Sequence, residues 1–249
     1  MTAFFHTLLY IPIYNLLAFF IDTVPGSDIG LAVVLVTVVV RLAIMPLSFA
    51  AQKTARAMKQ VEPEMKHIRE DLKDNKEEQA KAMMALYKKY GINPFASILT
   101  ILIQLPIVIT LYWVFHNKTL LTIDPALLYS FVHAPTTVSP LFLGVITITS
   151  ASIVLASLAA ITQFLLALYA IPAAPSSKDD KTMQADISRA MTMQMRYVFP
   201  LIMGAIAYAS GAIAIYFITS NLFGIAQEYF VRKSMGKADS PLPTTQSST

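Results

Sequence analysis

Apolar and polar positions sort this chain into long blocks rather than short alternations. Four stretches contain no Asp, Glu, Lys or Arg apart from one arginine: Ile29 to Ala51, Gly91 to Asn117, Pro125 to Pro175 and Tyr197 to Gln227. About 20 apolar residues are needed to cross a hydrocarbon core, so each of the first three predicts one span. The fourth is broken at Ser210 and Gly211 after Pro200, which predicts two short spans with a tight turn between them. Five spans result. The opening segment, Phe4 to Ile21, is nearly long enough to be another, but it contains His6, Pro12 and Asn15 and is rich in Phe and Tyr. That composition suits a helix lying at the interface; crossing would add a sixth span and move only the N-terminus.

Between the first two blocks the period changes. Met58, Val61, Met65, Ile68 and Leu72 recur in steps of three and four, one stripe of a helix, with Pro63 suited to its first turn. Asn75 with Glu78 three residues on is a capping signature, and Ala80, Met83, Tyr87 and Tyr90 carry a second stripe until Gly91 stops it. Two such helices predict an antiparallel hairpin over residues 52–92. Its surface is a solvated, mixed-sign face, or its methionines (Met58, Met65, Met83, Met84) receive an apolar client.

Composition fits this layout: 55% of residues are hydrophobic, 14% are charged and the mean hydropathy is +0.58, against roughly 25% charged in a soluble domain. The chain is expected to be an integral membrane protein of all-α class. Cysteine is absent, which excludes disulfides and thiolate metal sites. Of the 19 Lys and Arg, ten lie between the first and second spans, four between the third and fourth and three in the tail, while Lys118 alone falls on the opposite side. The positive-inside rule then puts the hairpin and C-terminus in the cytoplasm and the N-terminus outside. The hairpin's ten basic residues are offset by seven acidic ones, a poor footprint for nucleic acid.

The exceptional charge is Arg41, twelve residues past Ile29 and hence about 18 Å into the core at 1.5 Å per residue. An unpaired arginine at that depth costs about 2.5–3.5 kcal/mol on insertion scales. No span offers an Asp or Glu, but Thr37, Thr100, Gln104, Thr110, Ser152, Thr162, Gln163, Thr219, Ser220 and Asn221 are available to line a wet cavity around it. Snorkelling towards Pro46 and Ser48 is the alternative. Pro46, Pro106 and Pro200 are expected to kink three spans and open space. The histidines form no zinc pair, no intramembrane carboxylates suit proteolysis or proton coupling, and no repeated halves are visible. Neither catalytic residues nor a cofactor or metal site is expected. A positive cavity suits a small anion, with Arg41 as the selectivity charge of a transporter or channel, or the acidic end of a passing polypeptide.

An arginine followed by "MPLS", the hairpin's "VEPEM", then "ALYKKYGINPFASILTILIQLPIVITLYWVF" and "FPLIMGAIAYASGAIAIYFITSNLFGIAQEYF" together resemble the bacterial YidC family of membrane protein insertases, relatives of the mitochondrial Oxa and chloroplast Albino insertases. The resemblance covers residues 10 to 232. It implies a non-enzymatic insertase and chaperone of the bacterial plasma membrane with a hydrophilic groove open to the cytoplasm and to lipid. Arg41, Gln104 and Asn221 would line the groove, and the partners would be client membrane proteins, lipids, the Sec translocon and the ribosome. The expected layout is an interfacial helix over 1–27, a first span over 28–51, the hairpin over 52–92, the remaining spans over 93–232 and a disordered tail over 233–249. "ASGA" departs from the proline and glycine pattern usual in the family, "NPFAS" lacks a usual glycine, and the large extracytoplasmic domain of many members is not in this sequence. The tail's three basic residues argue against strong ribosome tethering through it.

Overall fold

The computed structural model describes residues 5–93, 106–107, 109–110, 112–115, 121–171 and 189–235. The described residues are mostly helical. The helices are α1 (Ile11–Thr23), α2 (Ile29–Gln60), α3 (Glu62–Asp71), α4 (Lys76–Lys89), α5 (Ile153–Ala170), α6 (Phe199–Tyr208) and α7 (Gly211–Met235). By length and composition, two of these stretches can cross a membrane: Ile29–Thr54 within α2, and α5. The second expected span, with Gln104, lies mainly outside the described residues. The chain divides into two units, Met1–Ala43 with Pro106–Glu228, and Ile44–Leu105 with Tyr229–Thr249.

In the first unit, the loop over residues 121–152 organises the starts of three helices. A helix leaves its first N–H groups without internal partners, and here loop oxygens supply them. Ile29 donates to the Ser139 carbonyl (3.2 Å), Gly211 to that of Ser150 (3.1 Å) and Ala212 to that of Ile148 (3.0 Å). Asp28 accepts from Leu31 N (3.0 Å) and Leu143 N (2.7 Å), and Ser152 caps α5 through Leu155 N. The helices α2, α5 and α7 therefore all run away from this loop. On its other side, Asn15 of α1 donates to the Leu127 carbonyl and accepts from Tyr129 N, while Tyr14 OH accepts from Asp124 N.

The all-α expectation needs one correction, because this loop holds a small antiparallel hairpin, β1 (Leu141–Phe142) and β2 (Ile146–Thr147). Only Ile153–Ala170 of the charge-free block from Pro125 to Pro175 is long α-helix among the described residues. The absence of charge marked the block's chemistry and not its secondary structure.

Helix packing in this unit relies on small residues, as is usual where lipid removes the hydrophobic drive between helices. Gly204 of α6 lies so close to α5 that a Cβ there would stand 2.8 Å from the Ala160 Cβ. Arg196 holds the far ends of the same pair, donating through Nε (3.0 Å) and a terminal nitrogen to the Ile171 carbonyl after α5.

Pro200 does not act as a simple interior kink. A π-helical turn, Gln194–Val198, precedes it, with Phe199 N–H bonding the Gln194 carbonyl, and Pro200 sits in the first turn of α6. Pro12 follows another such turn, His6–Tyr10, in the same way. A proline ring has no N–H and collides with the carbonyl four residues back; a wider turn at that point takes up both defects. Pro46 lies inside α2, which continues through it to Gln60, past the expected span boundary at 51.

In the second unit, α3 and α4 pack around Val61, Met65, Leu86 and Ile92, with Met58, Ile68, Met83, Tyr87 and Tyr90 half-buried against them. Most of the methionine stripe is thus internal packing, and Met84 alone of the four is exposed, at 54%. Asn75 caps α4, its Oδ1 accepting from Glu78 N at 3.1 Å and its Nδ2 donating to Glu78 Oε2. Gly91 takes a positive φ of 62° where the chain leaves the helix. Tyr90 OH bonds Glu64, which also pairs with Lys89 at 3.5 Å. The Lys89 pKa is raised by its hydrogen bond to Tyr90, and then by the Glu64 charge. Replacing Asn75 with Ala should cost about 1 kcal/mol of local stability, read as faster amide exchange over residues 76–80 with little change elsewhere; unchanged exchange would mean the cap is idle. Residues 233–235 continue α7 instead of opening a disordered tail, and 236–249 lie outside the described residues.

Candidate functional site

Helix α2 separates two faces before it reaches Arg41. Ile29, Ala32, Val33, Val36 and Thr37 are buried, while Leu35, Val39 and Leu42 face outward. Arg41 follows Thr37 by four residues and so continues the inner stripe. Thr37 spends its hydroxyl on its own helix, donating to the Val33 carbonyl at 2.6 Å, as Thr commonly does within an apolar helix.

The partner of Arg41 comes from α7. Arg41 Nε donates to Ser220 Oγ at 2.8 Å, and a terminal nitrogen bonds the same oxygen. Ser220 is buried at 2% exposure, and Arg41 itself is half-buried. Among the described residues Arg41 enters no ion pair. A guanidinium has five N–H donors, so a neutral hydroxyl accepting two of them orients the cation without neutralising it.

Asn221, adjacent to Ser220, has a different neighbour. Its Nδ2 donates to Thr162 Oγ1 (3.2 Å) and to the Ala159 carbonyl (3.4 Å), while Thr162 donates to the Leu158 and Ala159 carbonyls. The pair forms a buried polar clip between α7 and α5. Of the three expected groove residues, Arg41 bonds Ser220 of α7, the adjacent Asn221 bonds α5 instead, and Gln104 lies outside the described residues. Ser220 was visible in the sequence only as one of ten neutral polar groups. Its place in "TSN", one residue before the expected Asn221, was the available signal.

No cluster of His, Cys, Asp or Glu suited to a metal occurs among the described residues. What the arrangement offers is a cation on an apolar helix, held by the Ser220 hydroxyl. These features describe a mostly helical protein with two stretches apolar enough to cross a membrane and a polar site between two of its helices.

The sequence pattern of the family described as 60Kd inner membrane protein matches residues 20–238. The chain is 32% identical over 213 residues to the membrane protein insertase YidC of Clostridium tetani, covering 86% of each chain. It is 28% identical over 209 residues to the membrane protein insertase YidC of Paraburkholderia xenovorans, with 84% of this chain and 33% of that one covered. Against the protein of the same name from Shewanella pealeana, identity is 36% over 140 residues, or 55% and 25% of the two chains. The chain thus spans most of the first relative and a third or less of the other two. It belongs to the 60Kd inner membrane protein family, a family of membrane protein insertases and not of catalytic enzymes.

Proposed function

We propose that this chain moves the terminal tails of client membrane proteins from the cytoplasm into and across the bilayer, and releases their apolar segments sideways into lipid. It uses a hydrophilic groove among five spans. Arg41, Gln104 and Asn221 contribute to that groove, with Ser220 orienting the arginine. The N-terminus lies outside, and α3 and α4 lie in the cytoplasm with ten basic residues around them. Spans one, three and five of such a topology must start on the same side, and the shared origin of α2, α5 and α7 at the 121–152 loop supports that order.

The observation that carries the reading is a permanent cation on an apolar helix with a neutral serine as its described partner. Water reaching partway across the bilayer lowers the cost of that cation and of a polar tail passing it. Transfer of the client's apolar helix into lipid, at about 25 cal/mol per Å² of apolar surface buried, supplies the drive without covalent chemistry. By resemblance the client helix slides along the second and fourth spans, and the Sec translocon and ribosome deliver some clients.

The test uses sealed liposomes containing only the purified full chain. A short single-span client with an acidic N-terminal tail is added, followed by protease outside. Protection of the tail well above that in empty liposomes is the expected result. Protection equal to the empty control, together with saturable anion flux, would replace the insertase reading with that of an anion pathway.

A further inference from the structure

The β1–β2 hairpin is held firmly at its base and exposes an apolar tip. At the base, the Phe142 ring lies against Gly30 so closely that a Cβ there would fall 2.4 Å from Phe142 Cδ2. Leu143 N is bonded to Asp28, and Ile148, fully buried, receives the start of α7. At the tip, Val145 N bonds the Phe142 carbonyl (3.0 Å) across Leu143 and Gly144, whose φ values are 51° and 72°. Turns with two positive φ values favour Asn-Gly or Asp-Gly, and a leucine in that region costs about 1–2 kcal/mol. Local folding therefore disfavours Leu143, yet this side chain is 63% exposed and Val145 is 80% exposed.

Neither residue is explained by a water-facing loop. The stretch from Pro125 to the start of α5 holds no Asp, Glu, Lys or Arg, and exposes Phe131 as well. The apolar exposure continues directly into α5, whose first residues, Ile153 and Val154, are 69% and 67% exposed. With 18 residues, α5 is about 27 Å long at 1.5 Å per residue, slightly short of a core about 30 Å thick. Apolar surface next to its first turn would make up the difference at the outer boundary.

We propose that the tip of this hairpin, Leu143 and Val145, is seated in the outer face of the lipid bilayer and anchors the loop that organises the starts of α2, α5 and α7. The inference rests on α5 crossing the membrane as proposed above. Its occupant is lipid, at the boundary of headgroups and acyl chains, because burying the exposed apolar surface of Leu143 and Val145 there is favourable.

The chain has a single tryptophan, Trp113, so a Trp113→Phe background permits one reporter at a time in the full-length protein in liposomes. Val145→Trp and Leu143→Trp are expected to emit at shorter wavelength than an exposed reference, Asp74→Trp, and to lose most of their emission when lipids brominated near the headgroup replace ordinary lipids. Ile161→Trp, on the exposed face of α5, should be quenched by lipids brominated deeper. If Ile161→Trp is quenched and both tip reporters behave like Asp74→Trp, the tip lies in water and the inference fails while the span stands. If Ile161→Trp is itself unquenched, the span reading fails and the inference falls with it.

Discussion

Arg41→Glu should reduce insertion of a client with an acidic tail by about tenfold or more, and insertion of a neutral-tailed client far less. A carboxylate about 6 Å from the guanidinium gains about 3 kcal/mol at an effective dielectric constant of 20. Reversing the charge turns that gain into a penalty, and even after screening by water a net change of 1.4 kcal/mol is tenfold. Arg41→Lys should keep most of the activity, since a long-range attraction needs a charge and not the guanidinium fork. Ser220→Ala separates orientation from charge. It removes the acceptor that Arg41 Nε uses at 2.8 Å, and should lower insertion of acidic and neutral tails by a similar, smaller factor. Equal losses for both clients with Arg41→Glu would assign the arginine to folding.

Gly211→Val is expected to be the most destabilising single change in the helical core. A Cβ on Gly211 would stand 2.7 Å from the Ile148 Cα and 3.0 Å from its carbonyl oxygen. Both are backbone atoms of a residue with no exposed surface, so no side-chain rotation can relieve the contact. The start of α7 must retreat, weakening the bonds from Gly211 and Ala212 to the loop. Overpacking of this kind costs about 1–3 kcal/mol. A lower midpoint on thermal unfolding in detergent, with earlier protease cutting within residues 121–152, is the expected readout. A midpoint equal to that of the parent would mean that the loop and α7 part without cost.

The elements that were legible in the sequence are those whose signal resides in side chains. Asn75 with Glu78 announced a helix start, Gly91 a stop, and the break at Ser210 and Gly211 a turn, and each stands where its chemistry requires. The 121–152 loop was illegible because its main task is performed by backbone carbonyls at Ser139, Ile148 and Ser150, and any residue type carries a carbonyl. The two π-helical turns were hidden for a related reason: Pro12 and Pro200 signal a backbone defect, but not which of several adjustments absorbs it. At the site, Arg41 was conspicuous as the one cation within the four otherwise charge-free blocks. Ser220 was not, because an isolated serine in an apolar helix commonly bonds its own turn, and the bond it receives from Arg41 becomes visible only in the fold.

In the proposed function, Arg41 acts on a client through charge. The most direct measurement pairs Arg41→Glu with a client whose acidic tail residues are replaced by lysines, scored by protease protection in sealed liposomes beside the three other combinations. Complementary attraction predicts that the reversed pair regains most of the insertion lost when either partner is changed alone. Additive losses in the doubly reversed pair would contradict it.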